Sequence, residues 1–447
     1  MEKFKLMPSI FGTGPPDIET EEKRSKYTVC ILGCNRSGVA FAKSFAEAGF
    51  QIICYDPDQS VVKRLAKGKT TFADSETEAK LKSFIKLGQL SVTGEPQKAV
   101  SKSDLVIITV PAKVDDNKKI DSSELLNILK TVGGALHPGM LILYGEVAGL
   151  GFIEGIMKES LENTSGLKVD QDFGIAYAPL HNSKNSPVKP GMEPELLVAS
   201  TGKNGLEIAT NLLRTIMKVK PVSSTKVAEI ATLAKAAWQD SITAFANELA
   251  VFCETANADY FEMLKLLDSK ELTFWPKIVE QKNESYLLLE SAENLNAKLR
   301  LPKLANQINE DMVKHAINIT QEALRSCNKT LRRARVAILG DTYPSDATKM
   351  LITMLEQKGA KATIYDNSRR NHTSNPEIVK NSLNETVEGV DCIMILRREE
   401  PFNHLSLRKL KALTKTPSAI IDLAGAFEPQ EIETEGFIYR GLGRGTG

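Results

Sequence analysis

Short apolar runs alternate with helical periodicity through the first half of the chain. Helical stretches separate the runs that we predict to be strands, at 27–32, 51–55, 105–110, 140–143 and 173–177. Strands that alternate with helices in this way are typical of a doubly wound, mostly parallel sheet. We therefore expect a Rossmann-like α/β domain at 27–222.

The pattern changes after residue 222. Over 227–252 apolar side chains recur every three or four positions, and the segment between Val222 and Trp275 contains neither proline nor glycine. This periodicity predicts one long helix, or two in tandem, within a central helical domain at 223–331. Such a helix joins two domains, and its exposed flank offers an interface for a homodimer or a heterodimer.

A second set of predicted strands follows, at 335–339, 362–365, 392–396 and 418–422. They indicate another α/β domain at 332–447. The expected fold class is therefore α/β, with two Rossmann-like doubly wound domains joined by a central long-helix domain. Residues 1–26 combine several prolines and glycines with a charged run, which predicts an irregular or mobile arm.

The composition of the chain limits the classes of binding partner that we expect. Hydrophobic residues make up 42% of the chain and charged residues 25%, and the formal net charge of +1 favours neither nucleic acid nor an anionic membrane surface. Because no apolar run is long enough to span a bilayer and no signal peptide is visible, we expect neither membrane insertion nor export. The six scattered cysteines form no CxxC pair, which indicates reduced thiols in the cytoplasm and no metal site.

The turn after the first predicted strand carries the clearest chemistry. It reads Gly33-Cys34-Asn35-Arg36-Ser37-Gly38, where a dinucleotide-binding turn has G-x-G-x-x-G. Gly33 and Gly38 keep the outer glycines, which make the tight turn and let helix and strand pack closely. Asn35 replaces the middle glycine. Asparagine tolerates a left-handed backbone, but its side chain fills space that the phosphates of NAD need.

Two further residues belong to this candidate site. Asp56 ends the second predicted strand, where a carboxylate holds the ribose hydroxyls of a dinucleotide. Arg36 is a candidate phosphate contact or, alternatively, a solvated side chain. From these residues alone two interpretations stay open: a turn that binds a dinucleotide, and a nucleotide-shaped fold with an empty pocket.

A series of landmarks follows in order along the chain: Ser103-Asp104, Val110-Pro111, Ser165-Gly166-Leu167-Lys168, Asp172-Phe173, Ser224-Thr225-Lys226-Val227-Ala228-Glu229, Ala246-Asn247-Glu248-Leu249-Ala250, Asn309 and the closing segment 436–441. With these landmarks the sequence resembles the UDP-glucose/GDP-mannose dehydrogenase family over 27–447. The resemblance implies an N-terminal NAD domain, a central dimerisation domain and a C-terminal nucleotide-sugar domain. It also adds Val110 and Pro111 to the residues expected at the cofactor.

The resemblance implies a reaction as well. Members of this family oxidise the C6 alcohol of a UDP-sugar to a uronic acid with two molecules of NAD, in surface polysaccharide or glycan metabolism. A cysteine thiolate traps the intermediate aldehyde. A lysine, an asparagine, a threonine and a glutamate handle the water and the developing oxyanion.

Most positions that should carry this chemistry hold other residues. The stretch 274–289, where the family places its cysteine, contains no cysteine, histidine or glycine. Thr232 stands in place of the lysine, Ala236 in place of the asparagine, and Leu180 in place of the glutamate. Further departures are Gln239 and Ala424 for arginines, Glu146 for the threonine, and the shortened loop Gly340-Asp341-Thr342-Tyr343-Pro344.

These departures leave three functions open, and we expect no catalytic residue of the family type. The first is a pseudoenzyme that acts as a partner or scaffold, which we favour because removal of a nucleophile alone costs several powers of ten in rate. The second is an altered NAD-dependent oxidoreductase that makes a single hydride transfer on a nucleotide sugar, with Glu146 and His181 as an acid–base couple. The third is the family enzyme with a displaced nucleophile.

Overall fold

The computed structural model describes residues 9–115, 118–180, 195–267, 275–278, 283–340, 346–366, 377–397 and 406–445. The chain forms two compact units. The first comprises Met1–Ala236 and Tyr286–Ala297, and the second comprises Ala237–Ser285 and Lys298–Gly447. The predicted fold class, with two Rossmann-like sheets and a central region of long helices, is confirmed. The predicted domain boundaries at 222 and 331 stay predictions.

The strands form two sheets and one short hairpin. In chain order they are β1 (Thr28–Leu32), β2 (Gln51–Tyr55), β3 (Leu90–Thr93), β4 (Leu105–Ile108), β5 (Lys113–Val114), β6 (Ile120–Asp121), β7 (Leu141–Tyr144), β8 (Gly174–Tyr177), β9 (Leu196–Ser200), β10 (Val219–Pro221), β11 (Arg335–Leu339), β12 (Lys361–Tyr365), β13 (Val379–Lys380), β14 (Cys392–Ile395), β15 (Ala419–Asp422) and β16 (Ile438–Gly441).

A short 3₁₀-helix (Pro15–Ile18) and a π-helix (Ile153–Met157) accompany the α-helices. The α-helices are α1 (Glu21–Arg24), α2 (Arg36–Glu47), α3 (Gln59–Leu65), α4 (Ser75–Lys86), α5 (Pro96–Val100), α6 (Ser123–Ala135), α7 (Lys158–Ser165), α8 (Lys203–Arg214), α9 (Thr225–Thr255), α10 (Tyr260–Leu266), α11 (Asn283–Asn294), α12 (Arg300–Ser326), α13 (Asp346–Gln357), α14 (Leu383–Val387), α15 (Leu407–Leu413) and α16 (Pro429–Thr434).

The first sheet has eight strands in the order β10-β9-β8-β7-β4-β1-β2-β3. All neighbours run parallel except β8 and β9. The chain moves outward from β1 to β3 and then returns to β4 on the other side of β1. This reversal places a ligand-binding crevice beyond the carboxyl ends of β1 and β4.

Alternate residues of β1 pack on opposite faces of this sheet. Val29 and Ile31 join one buried cluster with Phe41 and Phe45 of α2. Cys30 and Leu32 join the cluster on the other face. Because both faces are covered, the strand reads as a continuous apolar run rather than as an alternating one.

The second sheet has six parallel strands in the order β13-β12-β11-β14-β15-β16. Side chains from α12 and from the end of α9 bury one face of it, and α15 and α16 contribute to the other. The long helical segment predicted after 222 is two helices in tandem, α9 and α10, with Asn257 at φ 55 between them.

The segment 1–26, predicted to be an irregular or mobile arm, is described from residue 9. Residues 9–26 contain the 3₁₀-helix and α1, and Ile10 is fully buried while Ile18 is 4% exposed. Both side chains belong to a core cluster of the first sheet. The guanidinium of Arg24 donates to the carbonyls of Ile18 and Ala48, which fixes this segment to the end of α2. The prediction weighted prolines and charges and overlooked the two isoleucines.

Candidate functional site

The glycines of the turn after β1 are required by its backbone. Gly33 lies at φ 102, and its N–H donates to the carbonyl of Tyr55 at 2.9 Å. A Cβ atom on Gly38 would lie 1.9 Å from the carbonyl oxygen of Gly33, so only glycine lets α2 approach β1 this closely. The two glycines therefore have a folding role whether or not a dinucleotide binds.

Asn35 is the N-cap of α2. Its Oδ1 accepts a hydrogen bond from the Gly38 N–H at 2.9 Å, while its Nδ2 donates to the Thr109 carbonyl at 2.7 Å and to Glu146 Oε1 at 2.9 Å. Its backbone is extended, at φ −72, so the tolerance of asparagine for a left-handed backbone plays no part here. The sequence did carry a signal for this role, because asparagine is among the preferred N-cap residues.

The positive end of α2 opens beside Asn35. The first hydrogen bond of the helix runs from the Val39 N–H to the Asn35 carbonyl, so the preceding amides of Arg36 and Ser37 have no acceptor within the helix. Arg36 is exposed at this first helical position. Amides and a cation at a helix N-terminus favour an anion such as a pyrophosphate.

Asp56 follows β2 and faces the same turn. Its Oδ2 accepts from the Cys34 N–H at 2.8 Å and its Oδ1 from the Asp58 N–H at 3.0 Å. The carboxylate is half-buried. A carboxylate has about four lone-pair sites, so Asp56 retains acceptor capacity for the hydroxyls of a ribose.

The residues after β4 complete the crevice wall. Val110 is buried, Pro111 is half-buried, and the Val110 carbonyl accepts from the Tyr144 hydroxyl at 3.3 Å. Thr109 was not predicted as a site residue; its hydroxyl donates to the Gly33 carbonyl at 2.6 Å and joins the turn after β1 to the end of β4. A threonine at the end of an apolar strand was the available signal.

These residues fit one end of a dinucleotide better than the other. Gly33, Gly38 and Asp56 suit the adenosine half, and the first amides of α2 suit a phosphate. The side chain of Asn35 does not fit a pyrophosphate, because it occupies the Gly38 amide and reaches across to Thr109 and Glu146.

Glu146 lies two residues after the end of β7 and is half-buried. Burial raises the pKa of the neighbouring Tyr144 and Tyr177 hydroxyls, and the charge of Glu146 adds to both shifts. The predicted partner His181 lies outside the described residues. Leu180, at the position expected for a glutamate, packs against the core of the first sheet.

The stretch of α9 that is expected to carry a lysine and an asparagine has buried side chains at both positions, Thr232 and Ala236. We call this the sealed stretch of α9. The Thr232 hydroxyl lies 3.0 Å from the Tyr177 hydroxyl and donates to the backbone carbonyls of Ala228 and Glu229, at 3.1 and 2.9 Å. Ala236 is fully buried. Position 232 offers a hydroxyl that is already engaged by backbone carbonyls, and position 236 offers only a methyl group, so neither presents the cationic or amide group that the resemblance implies.

One landmark of the same helix has a structural role. The Glu229 carboxylate is fully buried and accepts from the amides of Gly151 and Ile153 at 2.7 and 2.9 Å, at the start of the π-helix. Burial raises the pKa of this carboxyl, and the two amide donors oppose that shift. Glu229 therefore holds the loop after β7 in place.

In the second unit, the segment around 275–278 is held by Asn247. Its Oδ1 accepts from the Lys277 N–H at 2.8 Å, and its Nδ2 donates to the Lys277 carbonyl at 3.2 Å and to Asn309 Oδ1 at 3.0 Å. Asn309 in turn donates to the Asp240 carbonyl at 3.0 Å. The two landmark asparagines thus fix the backbone around Lys277, in the stretch where the resemblance implies a cysteine. Residues 279–282 of this segment lie outside the described residues.

All six thiols are buried in hydrophobic cores. Burial raises the pKa of Cys30, Cys253, Cys327 and Cys392. A hydrogen bond with Cys54, together with burial, raises that of Cys34. A reactive cysteine needs a lowered pKa and access to its substrate, so these thiols have the properties of inert core residues.

The corresponding crevice of the second sheet is described only in part. The Asp422 carboxylate accepts from the amides of Ala424 and Phe427 and from the Tyr439 hydroxyl, so it stabilises its own loop. The shortened loop after Gly340 lies outside the described residues. Among the described residues, no group of His, Cys, Asp and Glu side chains is placed to hold a metal ion, and no helix is long and apolar enough to cross a membrane.

A doubly wound sheet with this turn, helix and carboxylate, followed by a second Rossmann-like sheet, defines a two-sheet protein of the dinucleotide-binding class. Comparison with known proteins agrees. Residues 27–217 match the NAD-binding domain of the UDP-glucose/GDP-mannose dehydrogenase family, and residues 341–429 match the UDP-binding domain of the same family. The chain belongs to this family, and its first domain is of the family's NAD-binding type.

Individual relatives cover nearly the whole chain. The UDP-N-acetyl-D-mannosamine dehydrogenase of Pyrococcus horikoshii is 25% identical over 433 residues, which is 93% of this chain and 99% of the relative. The UDP-glucose 6-dehydrogenase of Rhizobium meliloti is 22% identical over 455 residues, covering 93% and 99%. The solved structure of the Pyrococcus horikoshii UDP-D-ManNAc dehydrogenase superposes with a TM-score of 0.79 at 25% identity, covering 94% and 99%.

Proposed function

We propose that this chain is a pseudoenzyme of the nucleotide-sugar dehydrogenase family, which acts as a partner or scaffold and does not oxidise a UDP-sugar to a UDP-uronic acid. The observation that carries the proposal is the sealed stretch of α9. Thr232 is engaged by Tyr177 and two backbone carbonyls, and Ala236 is fully buried.

The packing around α9 argues against a small structural change that would restore the family reaction. A lysine ammonium at 232 would enter a buried site where a tyrosine hydroxyl already has its hydrogen-bond partners. The inert thiols support the same conclusion, because the family reaction needs a thiolate. With all six thiols buried, we infer that no thiolate is available to trap an aldehyde.

A direct assay tests the proposal. Purified protein is mixed with NAD and either UDP-glucose or UDP-N-acetyl-D-mannosamine, and NADH formation is followed beside an active family enzyme. We expect no NADH above the rate of the protein-free blank. Steady NADH formation that is lost on substitution of one cysteine would contradict the proposal and restore the family reaction.

One observation favours the second candidate, an oxidoreductase that makes a single hydride transfer on a nucleotide sugar. Glu146 places a half-buried carboxylate at the dinucleotide crevice, where a general base would stand. NADH formation that survives every single cysteine substitution but is lost in Glu146→Gln would support this candidate. We rank it second because the Asn35 side chain holds this carboxylate.

We infer that the partner binds an aromatic face on α9. Trp238, Phe245 and Phe252 are spaced by seven residues, so they lie on one side of the helix, and they are 67%, 51% and 67% exposed. Exposed aromatic side chains in a row favour a protein interface over solvent. The partner is a second copy of this chain or an active relative that presents the matching helix.

The interface prediction has a matched control. The double variant Trp238→Glu/Phe245→Glu should convert a dimer to a monomer in sedimentation analysis. Leu87→Glu alters a side chain that is 74% exposed outside this face, and it should leave the assembly unchanged. A monomeric parent protein that also captures no active relative would contradict the inference.

The cytoplasmic location of the protein also stays a prediction.

A further inference from the structure

The Asn35 amide joins three elements at the carboxyl edge of the first sheet. Asn35 follows β1, Thr109 follows β4 and Glu146 follows the β7 segment. The hydrogen bonds of 2.7 Å to Thr109 and 2.9 Å to Glu146 cross the point where the strand order reverses. A dinucleotide in a doubly wound fold passes through this point.

The partners fix the orientation of the amide. Gly38 offers an N–H, which requires the oxygen of Asn35, while the Thr109 carbonyl and the Glu146 carboxylate require its nitrogen. Three good hydrogen bonds therefore hold the side chain across the crevice. An incoming pyrophosphate has to break them in order to reach the Gly38 amide.

Charge acts in the same direction. The hydrogen bond from Asn35 holds the Glu146 carboxylate beside the N-cap of α2. The helix N-terminus attracts anions, but a fixed carboxylate beside it repels a second anion. The competition is therefore both for the amide and for the electrostatic field of the helix.

We propose that Asn35 and Glu146 form a latch across the dinucleotide crevice, and that this latch sets the affinity of the turn for NAD and NADH. The proposal rests on the proposed function and deepens it. It names what limits cofactor binding at the dinucleotide crevice of this chain. The fold and Asp56 are retained, so removal of the latch should make binding stronger rather than weaker.

Calorimetric titration with NADH tests the latch. Asn35→Gly removes all three hydrogen bonds and restores the G-x-G-x-x-G pattern. Of the three, the bond to the Glu146 carboxylate is charge-assisted, and a ligand that no longer has to displace such a bond gains about tenfold in affinity. We therefore expect NADH to bind at least about tenfold more tightly. Glu146→Gln keeps an acceptor for Asn35 but removes the charge, and it should give a smaller gain that shrinks as salt is added.

Two further variants keep the test decisive. Asn35→Ser retains an N-cap for α2 but cannot span to Glu146, so it carries the test if Asn35→Gly does not fold. Asp56→Ala in the Asn35→Gly background should abolish the gain, which locates binding in this crevice. Folded Asn35→Gly or Asn35→Ser protein that binds NADH no more tightly than the unaltered chain would overturn the latch.

The latch and the proposed function fail separately. Binding without turnover in Asn35→Gly supports both, because Thr232 and Ala236 are unchanged. NADH formation by the unaltered chain contradicts the proposed function, whereas equal affinities contradict the latch.

Discussion

The turn 33–38 and the helical stretch 225–236 both lie where the family resemblance implies functional residues, and they differ in which of the expected residues they carry. The turn keeps Gly33 and Gly38, whose positions demand glycine on steric grounds. The helix keeps Glu229, which caps a buried loop, and replaces the expected lysine and asparagine with Thr232 and Ala236. Both segments keep residues that the fold needs, and under the proposed function the residues that only the chemistry needs have been lost.

This difference limits what a motif proves. A glycine pattern is evidence for a dinucleotide only where folding does not itself require the glycines. Here the outer glycines follow from the approach of α2 to β1, and the middle position, which a ligand would require, is not glycine. The side chains that act on substrate are the more informative positions.

The largest effect should come from Gly38→Ala. Its Cβ would lie 1.9 Å from the Gly33 carbonyl oxygen, so β1 and α2 must separate. We expect a loss of at least about 3 kcal/mol in the free energy of unfolding, measured by urea denaturation. Gly134→Ala, in α6 with open space around its Cβ, is the control and should be neutral or slightly stabilising. Equal effects at both positions would remove the steric argument.

Glu229→Ala should be next in size. It leaves the part-buried amide of Gly151 and the buried amide of Ile153 without their acceptor, at a cost of about 3 kcal/mol in unfolding free energy. Glu248→Ala, on an exposed position of the same helix, should change stability by no more than about 0.5 kcal/mol. A mild Glu229→Ala would mean that folding does not explain why this landmark is retained.

Thr232→Val should cost about 1 kcal/mol, because the Tyr177 hydroxyl loses one of its partners. Thr243→Val provides the comparison. The Thr243 hydroxyl bonds only to the Gln239 carbonyl of its own helix among the contacts described, so its loss should be nearly neutral. If Thr232→Val were as mild as Thr243→Val in thermal and urea unfolding, the sealed site would be only loosely packed.

The smallest effect concerns pH. Because burial raises the folded-state pKa of Glu229 above its ordinary value, the folded chain binds this proton more readily than the unfolded chain. The proton-linked contribution to stability is full below the unfolded pKa and is lost as pH rises through the folded pKa. The free energy of unfolding of the parent, relative to that of Glu229→Gln, should therefore fall as pH rises from the unfolded-state pKa of Glu229 to its folded-state pKa. A difference that stays constant or grows with pH would contradict the assignment.

The alternation of apolar runs was enough to predict most of both sheets. The predicted strand 51–55 matches β2, and 335–339 matches β11. Strand β10 was missed because it is a three-residue edge strand that includes Pro221, and its neighbour β9 was missed as well. Helix α11 was not predicted, because its segment is largely polar and its buried side chains include Ser285 as well as Leu287.

The candidate site was predictable in composition but not in geometry. The sequence identifies Asn35 as a departure, yet its three partners are 3, 74 and 111 residues away, and only the folded sheet brings them together. The same holds for Thr232, whose partner Tyr177 is 55 residues distant. The sequence alone can show that an expected catalytic residue has been replaced, but it cannot show which contacts the new side chain makes.

The most direct test is the stoichiometry of NADH in a single turnover, with protein in excess over UDP-glucose or UDP-N-acetyl-D-mannosamine and with saturating NAD. Our account predicts no NADH formed per sugar. One NADH per sugar would establish the single hydride transfer instead, and two would establish the full four-electron oxidation; either result contradicts the claim that this chain has lost the chemistry of its family.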